Sequence, residues 1–279
     1  MKWQGRRGSD NIEDRRGMST GTKVVGGGIG TLVIVLLVML LGGDPQSVIE
    51  QMDPGVATGP YESSEAEDQM AQFVSVVLAD VEDVWTEIFR QSGSTYREPT
   101  LVLFRDQVQS ACGYATAASG PFYCPADMKI YIDLSFCDDL ATKYGAQGDF
   151  AIAYVIAHEV GHHVQNLLGV LDEVTAERQR LSEVRANQLT VRLELQADFF
   201  AGVWAHHASR MFDSLEEGDI EEALNAAASI GDDVLQKKYQ GRVVPDTFTH
   251  GTAAQRSSWL RKGWVTGDVS QGDTFSAAI

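Results

Sequence analysis

Two histidines four positions apart give the strongest chemical signal in this sequence. His158 and His162 enclose the segment Glu-Val-Gly, and the apolar run of residues 150–157 before them is typical of a buried helix. Because positions i and i+4 share one face of a helix, both imidazoles can direct a nitrogen at one cation, at about 2.0–2.1 Å for zinc. Glu159 can then take a proton from water without being a ligand, and Gly161 is expected to leave room beside the metal. A helix whose histidines are only hydrogen-bonded or solvated is the alternative.

A catalytic zinc requires a third protein ligand and one open position. Glu194 and Asp198 are again four positions apart, in an apolar stretch that predicts a buried helix. A buried carboxylate is costly unless it is paired or bound to a metal. We therefore expect Glu194 to be the third ligand and Asp198 to accept a hydrogen bond from the outer nitrogen of a ligand histidine. An ion pair with Arg192 or Arg185 is the alternative.

The remaining histidines differ in their surroundings. His250 lies in the segment Thr-His-Gly-Thr just before a predicted helix, and it is the candidate donor to the oxyanion of an acyl-transfer reaction, with Tyr123 as a second candidate. A turn histidine at the surface is the alternative. His163 is expected to point away from the metal, and the pair His206-His207 lies too far beyond Glu194 to contribute a ligand.

The elements that position these residues follow from apolar spacing and turn residues. A capping box at Ser64–Glu67 opens a helix to about Gly93, and another at Thr252–Gln255 opens one to about Lys262. Further helices are predicted over residues 149–168, 182–210 and 219–236, and strands over 99–104, 122–124 and 129–133. The prediction is an α+β domain, mostly helical, with a small sheet. The strand at 129–133, which carries Tyr131, is the candidate edge for an extended peptide, and a purely structural strand is the alternative.

Composition limits the class of protein. The 279 residues carry a net charge of −17, which argues against nucleic acid as a partner, because such binding requires a basic surface. With 44% apolar residues the chain is an ordinary globular protein, and its three cysteines are too few for a disulfide-built scaffold. In an oxidising compartment Cys112 and Cys124 could close the loop between them with a disulfide, leaving Cys137 over.

An uncharged run at residues 24–43 predicts one transmembrane helix, because 20 helical residues span about 30 Å. A cleaved signal peptide is the alternative. The chain then divides into a basic cytoplasmic tail (1–23), the anchor (24–43), a flexible linker (44–62) and an outer domain (63–279). Basic residues precede the span, so the expected location is the bacterial inner membrane, crossed once, with the N-terminus in the cytoplasm and the large domain outside.

Seven blocks of sequence, spread over nearly the whole chain, resemble the bacterial neutral zinc metallopeptidases of the YpfJ-like family, whose paired motifs are similar to those of the gluzincin peptidases. The blocks are Trp3–Arg7, Asn11–Arg16, Gly120–Pro125, Tyr131–Phe136, His158–Gln165, Glu194–Asp198 and Phe248–Thr252. The resemblance implies a zincin-like fold and a membrane-anchored, zinc-dependent endopeptidase. Its expected partners are one catalytic zinc ion, a peptide or protein substrate and the lipid bilayer.

Two other functions stay open at this point. A membrane-tethered binding or scaffold protein could keep a metallopeptidase fold without catalysis, although the intact general base Glu159 argues against it. A zinc hydrolase acting on a non-protein amide is the other alternative.

Overall fold

The computed structural model describes residues 1–17 and 61–279. Within them, Met1–Arg16 and Ser63–Ile279 form one compact unit. The predicted anchor at 24–43, and almost all of the predicted linker at 44–62, lie outside the described residues. Among the residues that are described, no helix combines the length and the apolar character that a membrane crossing requires.

The described residues form six β-strands and eight α-helices. The strands are β1 (Ile12–Asp14), β2 (Thr100–Phe104), β3 (Gln107–Ser110), β4 (Gly113–Thr116), β5 (Phe122–Cys124) and β6 (Lys129–Asp133). The helices are α1 (Glu65–Gln91), α2 (Ser135–Thr142), α3 (Asp149–Leu167), α4 (Val170–Arg178), α5 (Glu183–Phe212), α6 (Asp219–Ser229), α7 (Asp232–Gln240) and α8 (Ala253–Thr266). The prediction of a mostly helical α+β fold with a small sheet is confirmed.

Local sequence signals account for most helix boundaries. Ser64 and Thr252 form the capping boxes of α1 and α8, with both reciprocal hydrogen bonds present in each. The cap of α3 is different, because the backbone N–H of Phe150 donates to the Glu222 carboxylate of α6. The single helix expected over 219–236 is two helices, which break at Gly231, where a Cβ would lie 2.3 Å from the backbone nitrogen of Ala253. Close packing against the start of α8 explains this break.

The main sheet has the strand order β1–β2–β6–β5. The first three strands are parallel, and β5 is antiparallel to β6. The sequence analysis proposed β6 as the edge for a substrate, and this assignment is wrong, since β6 is hydrogen-bonded on both sides. The edge beside the helices is β5, the other strand of that hairpin.

The first sixteen residues belong to the same unit as the large domain. β1 pairs with β2, and Trp3 packs edge-to-face on Phe73 of α1 with 5.6 Å between the ring centroids. Arg6 makes two hydrogen bonds to the buried Asp80 of α1, at 2.5 and 2.6 Å. The sequence analysis treats residues 1–23 as a separate tail because of their basic charge, whereas the structure pairs Lys2, Arg6, Arg7 and Arg16 with acids of the domain.

Two close helix crossings organise the region around the histidines. At the α3–α5 crossing, a Cβ on Gly161 would lie 3.0 Å from the carbonyl oxygen of Ala197. At the α5–α8 crossing, a Cβ on Gly202 would lie 2.1 Å from the carbonyl oxygen of Leu260. Gly161 therefore makes room for a neighbouring helix, and the expectation that it makes room for the metal is wrong. The crossings bring α3, α5 and α8 together at one site.

Candidate metal centre

Three side chains from two helices converge on one point. His158 and His162 project from α3, and Glu194 projects from α5. The Nε2 atoms of the two histidines lie 3.2 and 3.3 Å from the same Glu194 oxygen, Oε2. All three donor atoms lie within 4.8 Å of one another. These are the three ligands expected from the sequence.

The spacing of these atoms fits a tetrahedral metal ion. Two ligand atoms that lie about 2.0–2.1 Å from a zinc ion in tetrahedral geometry are about 3.3 Å apart. The observed 3.2 and 3.3 Å match this value. They are longer than the 2.7–2.9 Å of a direct charge-assisted hydrogen bond. Two imidazoles and one carboxylate are also the donor set of catalytic zinc sites, which leave a fourth position open.

The outer nitrogen of His158 is held by a buried carboxylate. His158 Nδ1 lies 2.8 Å from Asp198 Oδ1, and this carboxylate also accepts hydrogen bonds from the Arg256 guanidinium and from the Tyr154 hydroxyl. Since an ionised carboxylate only accepts, the His158 proton lies on Nδ1 and the lone pair of Nε2 faces the metal position. Asp198 thus has the contact expected of it, and it pairs with Arg256 instead of Arg192 or Arg185.

The outer nitrogen of His162 is held by the side chain of Gln165, a residue that the sequence analysis did not identify. His162 Nδ1 lies 2.8 Å from Gln165 Oε1, and Gln165 Nε2 donates to the backbone carbonyl of Leu193 at 2.7 Å. Because a carbonyl only accepts, the amide orientation is fixed and His162 must carry its proton on Nδ1. Gln165 is fully buried. Its position three residues after His162 on the same helix face is a signal that could have identified it.

The electrostatics of the site favour a cation between the ligands. Burial lowers the pKa of His158, but the carboxylates of Asp198 and Glu194 outweigh burial and raise that pKa to about 10. Glu194 raises the pKa of His162 against the same effect of burial. Burial raises the pKa of Glu194, but the three nearby histidines hold it well below its usual range. Without a metal, the raised pKa favours a proton on Nε2 of His158, and a divalent cation competes with this proton for the lone pair.

Glu159 lies where two cavities meet. A cavity of about 210 Å³ extends towards the start of α3, and a second of about 270 Å³ extends towards α4. Glu159, His158 and His250 line both. No hydrogen bond or ion pair joins the Glu159 carboxylate to another described residue, which leaves it available to a substrate or to water.

His250 reaches the metal site from the segment before α8. Its Nε2 lies 4.0 Å from Glu194 Oε2, and its side chain is half exposed, at 51%. Asp232 holds the segment in place, because its Oδ2 accepts the backbone N–H groups of Thr249, His250 and Gly251 at 2.7, 2.7 and 3.0 Å. Asp232 is a second residue that the sequence analysis missed, because no local spacing connects it to His250.

The hydroxyls of the two tyrosines suggested for substrate binding hydrogen-bond to other residues of the protein. Tyr123 accepts a hydrogen bond from Asn166, and its own O–H donates to His163 Nδ1, since His163 Nε2 donates to the Arg97 carbonyl. The hydroxyl has no proton left for an oxyanion, although the ring of Tyr123 lines the second cavity. Tyr131 is 1% exposed, donates to Asp127 and lines neither cavity. Its strand is internal, which explains why the proposed contact with substrate fails.

The remaining cysteines and histidines lie outside the metal site. Cys112 and Cys124 are joined by a disulfide that ties the end of β5 to the turn between β3 and β4, and Cys137 is a buried free thiol. His206 and His207 hydrogen-bond to the carbonyls of Trp264 and Gly267. They therefore stabilise the α5–α8 contact.

Comparisons with known proteins agree with this geometry. The chain is 49% identical to "Uncharacterized protein YpfJ" of Escherichia coli strain K12 over the full length of both proteins. It is 41% identical to "Uncharacterized protein Rv2575" of Mycobacterium tuberculosis strain H37Rv, over 86% of this chain and 85% of that protein. No solved structure matches the chain. The family described as "Putative neutral zinc metallopeptidase" matches residues 1–275, and the chain therefore belongs to this family.

Proposed function

We propose that the protein is a zinc-dependent endopeptidase that hydrolyses peptide bonds in a peptide or protein substrate. The observation that carries the proposal is the convergence of His158, His162 and Glu194 beside Glu159, whose carboxylate has no partner among the described residues. Zinc, when bound by these three ligands, supplies a Lewis acid that polarises the peptide carbonyl and makes water reactive at neutral pH.

Glu159 acts as the general base in this proposal. It takes a proton from the attacking water and then delivers it to the nitrogen of the leaving amine, as one positioned carboxylate can do in sequence. Its location at the junction of the two cavities supports this role. The intact base also favours catalysis over the alternative of a scaffold that only binds peptides.

His250 donates a hydrogen bond to the oxygen that becomes negative in the transition state. Its Nε2 faces the ligand cluster, and the hydrogen bonds from its segment to Asp232 fix its position before substrate arrives. A donor fixed in advance at the developing charge is worth a factor of about 10²–10³ in turnover.

An extended substrate adds to the free edge of β5 in this proposal. Among the described residues only β6 pairs with β5, and residues of β5 line the second cavity together with the ligands. Addition of a peptide strand to such an edge provides affinity through backbone hydrogen bonds. The disulfide at Cys124 supports this use, because it holds the end of the strand in place.

Membrane attachment is part of the proposal and rests on the uncharged run at residues 24–43. The Cys112–Cys124 disulfide supports an oxidising compartment for the domain. Because Met1–Arg16 packs in the same unit as Ser63–Ile279, we propose that both stretches lie on the same side of the membrane. The run would then enter the bilayer and return to the same side, which differs from the single crossing expected from charge alone.

The test compares Glu159→Gln with the wild-type full-length protein, using casein or a peptide library and zinc quantitation. We expect zinc to be retained and turnover to fall by about 10²–10⁴-fold, because the amide cannot accept the proton. Glu183→Gln, an exposed position on α5, is the matched control and is expected to have no effect. Zinc retention without turnover in the wild-type protein would favour a scaffold, and equal turnover in Glu159→Gln would remove the proposed base.

A further inference from the structure

We propose that the cavity of about 210 Å³ beside Glu159 binds one bulky apolar side chain of the substrate, that of the residue on the C-terminal side of the cleaved bond. We call this cavity the apolar pocket. The inference deepens the proposed function, on which it rests, by naming the class of peptide that the enzyme cleaves. A cavity of about 150 Å³ is enough to bind benzene, so this volume can hold one large side chain.

The walls of the pocket are apolar. Phe136 and Tyr144 form one side, with 6.2 Å between their ring centroids, and Val155, Ile230 and Leu235 are further apolar residues of the lining. These side chains come from three separate parts of the fold, which makes the pocket a feature of the tertiary structure. Burial of an apolar substrate group in this pocket removes it from water and stabilises the complex.

The polar groups at the base of the pocket are already paired. Arg256 binds both oxygens of Asp198, and the Tyr154 hydroxyl donates to the same carboxylate. An acidic substrate side chain would lose its hydration without gaining Arg256 as a partner, and it would meet the like charge of Glu159 in the same lining, which is unfavourable. The pocket therefore selects against acidic side chains as well as in favour of large apolar ones.

The direction of β5 assigns the pocket to one side of the cleaved bond. Gly120, before β5, lines the apolar pocket, Pro121 lines both cavities, and Tyr123 and Pro125 line only the second cavity. The strand thus runs from the apolar pocket towards the second cavity. A substrate that pairs with it in the more stable antiparallel manner runs the opposite way. Its C-terminal part then lies at the apolar pocket, and its N-terminal part lies at the second cavity.

The first experiment uses the zinc-loaded full-length protein and peptides that differ only in the residue after the cleaved bond. With Phe or Leu at this position we expect kcat/KM to exceed that of the Ala peptide by about 10- to 100-fold, and that of the Asp peptide by more. Mass spectrometry of the products locates the cleaved bond. A preference for bulky apolar residues before the bond, or no preference at all, would overturn the inference.

A pair of neighbouring variants tests whether the pocket itself causes the preference. Leu235→Arg places a cation in the pocket and is expected to abolish the advantage of Phe and to raise kcat/KM for Asp. Val234→Arg, on the same helix α7 but 39% exposed and outside the lining, is expected to leave the preference unchanged. Equal zinc content and melting temperature in both variants exclude a folding defect. An unchanged preference in Leu235→Arg would contradict the inference.

A binding measurement separates this inference from the proposed function. Zinc-loaded Glu159→Gln is titrated with the same fluorescent peptides, and we expect the Phe peptide to bind about tenfold or more tightly than the Ala peptide. If the wild-type protein cleaves no peptide, the proposed function fails, and this titration still decides on the pocket. If peptides are cleaved but the Phe and Ala peptides bind equally, the pocket assignment alone fails.

Discussion

Each ligand histidine has its own buried partner, and the two partners differ in kind. His158 is held by the Asp198 carboxylate, itself neutralised by Arg256, whereas His162 is held by the neutral amide of Gln165. A carboxylate partner makes an imidazole more basic, and an amide partner orients it with less added charge. The two imidazoles would therefore meet a bound metal ion with different electronic character, although their positions on the helix are equivalent.

Gln165→Met tests the importance of the amide partner. Methionine has a similar shape, but its sulfur accepts only a weak hydrogen bond from Nδ1, so His162 is freer to rotate or to change its tautomer. We expect zinc affinity to fall by about 10- to 100-fold, measured by competition with a chelator. Gln165→Glu keeps the acceptor and is expected to retain more affinity than Gln165→Met. Equal zinc affinity in Gln165→Met and wild type would contradict the positioning role.

Zinc affinity is also expected to depend on pH. The pKa of His158, raised to about 10, means that a proton must leave this ring when the metal binds. Zinc affinity should therefore rise with pH, by about tenfold per unit for each proton released. The stability of the metal-free protein depends on pH in the opposite direction, and it should fall as pH rises. A raised histidine pKa stabilises the fold below about pH 6.5, and this stabilisation is lost as pH rises towards 10.

Two measurements check both signs. Chelator competition at several pH values between about 6 and 8 gives the zinc affinity, and thermal unfolding of the metal-free protein over the same range gives the stability. A zinc affinity that does not change with pH would show that the imidazoles are already unprotonated before the metal binds.

The chemistry at this scale was largely predictable. Spacing along a helix is local, and it identified the two histidines and the carboxylates of α5 without any tertiary information. Arg256 could not be found in this way, because it reaches Asp198 from a helix 58 residues away along the chain. Asp232 was missed for the same reason, because it is distant from His250 along the chain. The sequence also carries no information on the hydrogen-bond partners of Tyr123 and Tyr131, which were therefore assigned to substrate binding.

At the scale of elements, the distance between α3 and α5 decides whether Glu194 meets the histidines. The helices are in contact through Gly161 and Ala197, one residue before His162 and three after Glu194. Any side chain at this crossing separates the helices, and the separation is transmitted directly to the ligands on either side.

Gly161→Val tests this coupling. A valine overpacks the crossing, and we expect the free energy of unfolding to fall by about 1–3 kcal/mol with a clear loss of zinc affinity. Gly161→Ala adds only one methyl group, so the losses of stability and of zinc affinity should be smaller. The measurements are thermal unfolding with and without zinc and chelator competition. A destabilised Gly161→Val protein with unchanged zinc affinity would show that the ligands adapt independently of the crossing.

Secondary structure was predictable where local signals are strong, as in the two capping boxes at Ser64 and Thr252. Strand pairing was not, because a short apolar strand gives no sign of its neighbours. This is why β6 was taken for the free edge and β1 was not identified. The parallel β1–β2 pair joins residues almost ninety positions apart, such as Ile12 and Leu101, and such pairings are set only by the complete fold.

At the scale of the whole molecule, the N-terminal residues stabilise the domain through a buried ion pair. Asp80 has a side chain only 4% exposed and depends on Arg6 for its partner. Arg6→Ala leaves this carboxylate buried and unpaired, and we expect it to lower the free energy of unfolding by roughly 2–4 kcal/mol.

The neighbouring pair provides the control for this prediction. Arg7 and Asp83 are 56% and 46% exposed, so Arg7→Ala should cost no more than about 1 kcal/mol. Chemical denaturation of the full-length variants measures both. Similar losses in Arg6→Ala and Arg7→Ala would show that burial of the Asp80 carboxylate has no special role.

The residues on either side of the undescribed segment 18–60 lie close together. A Cβ on Gly17 would lie 3.2 Å from Cδ1 of Tyr61, so the two flanks of residues 18–60 are neighbours. A short glycine and serine bridge can therefore replace everything between them, which offers crystallographers a compact protein that keeps its first strand. Cutting away the beginning of the chain instead would remove a strand from the sheet.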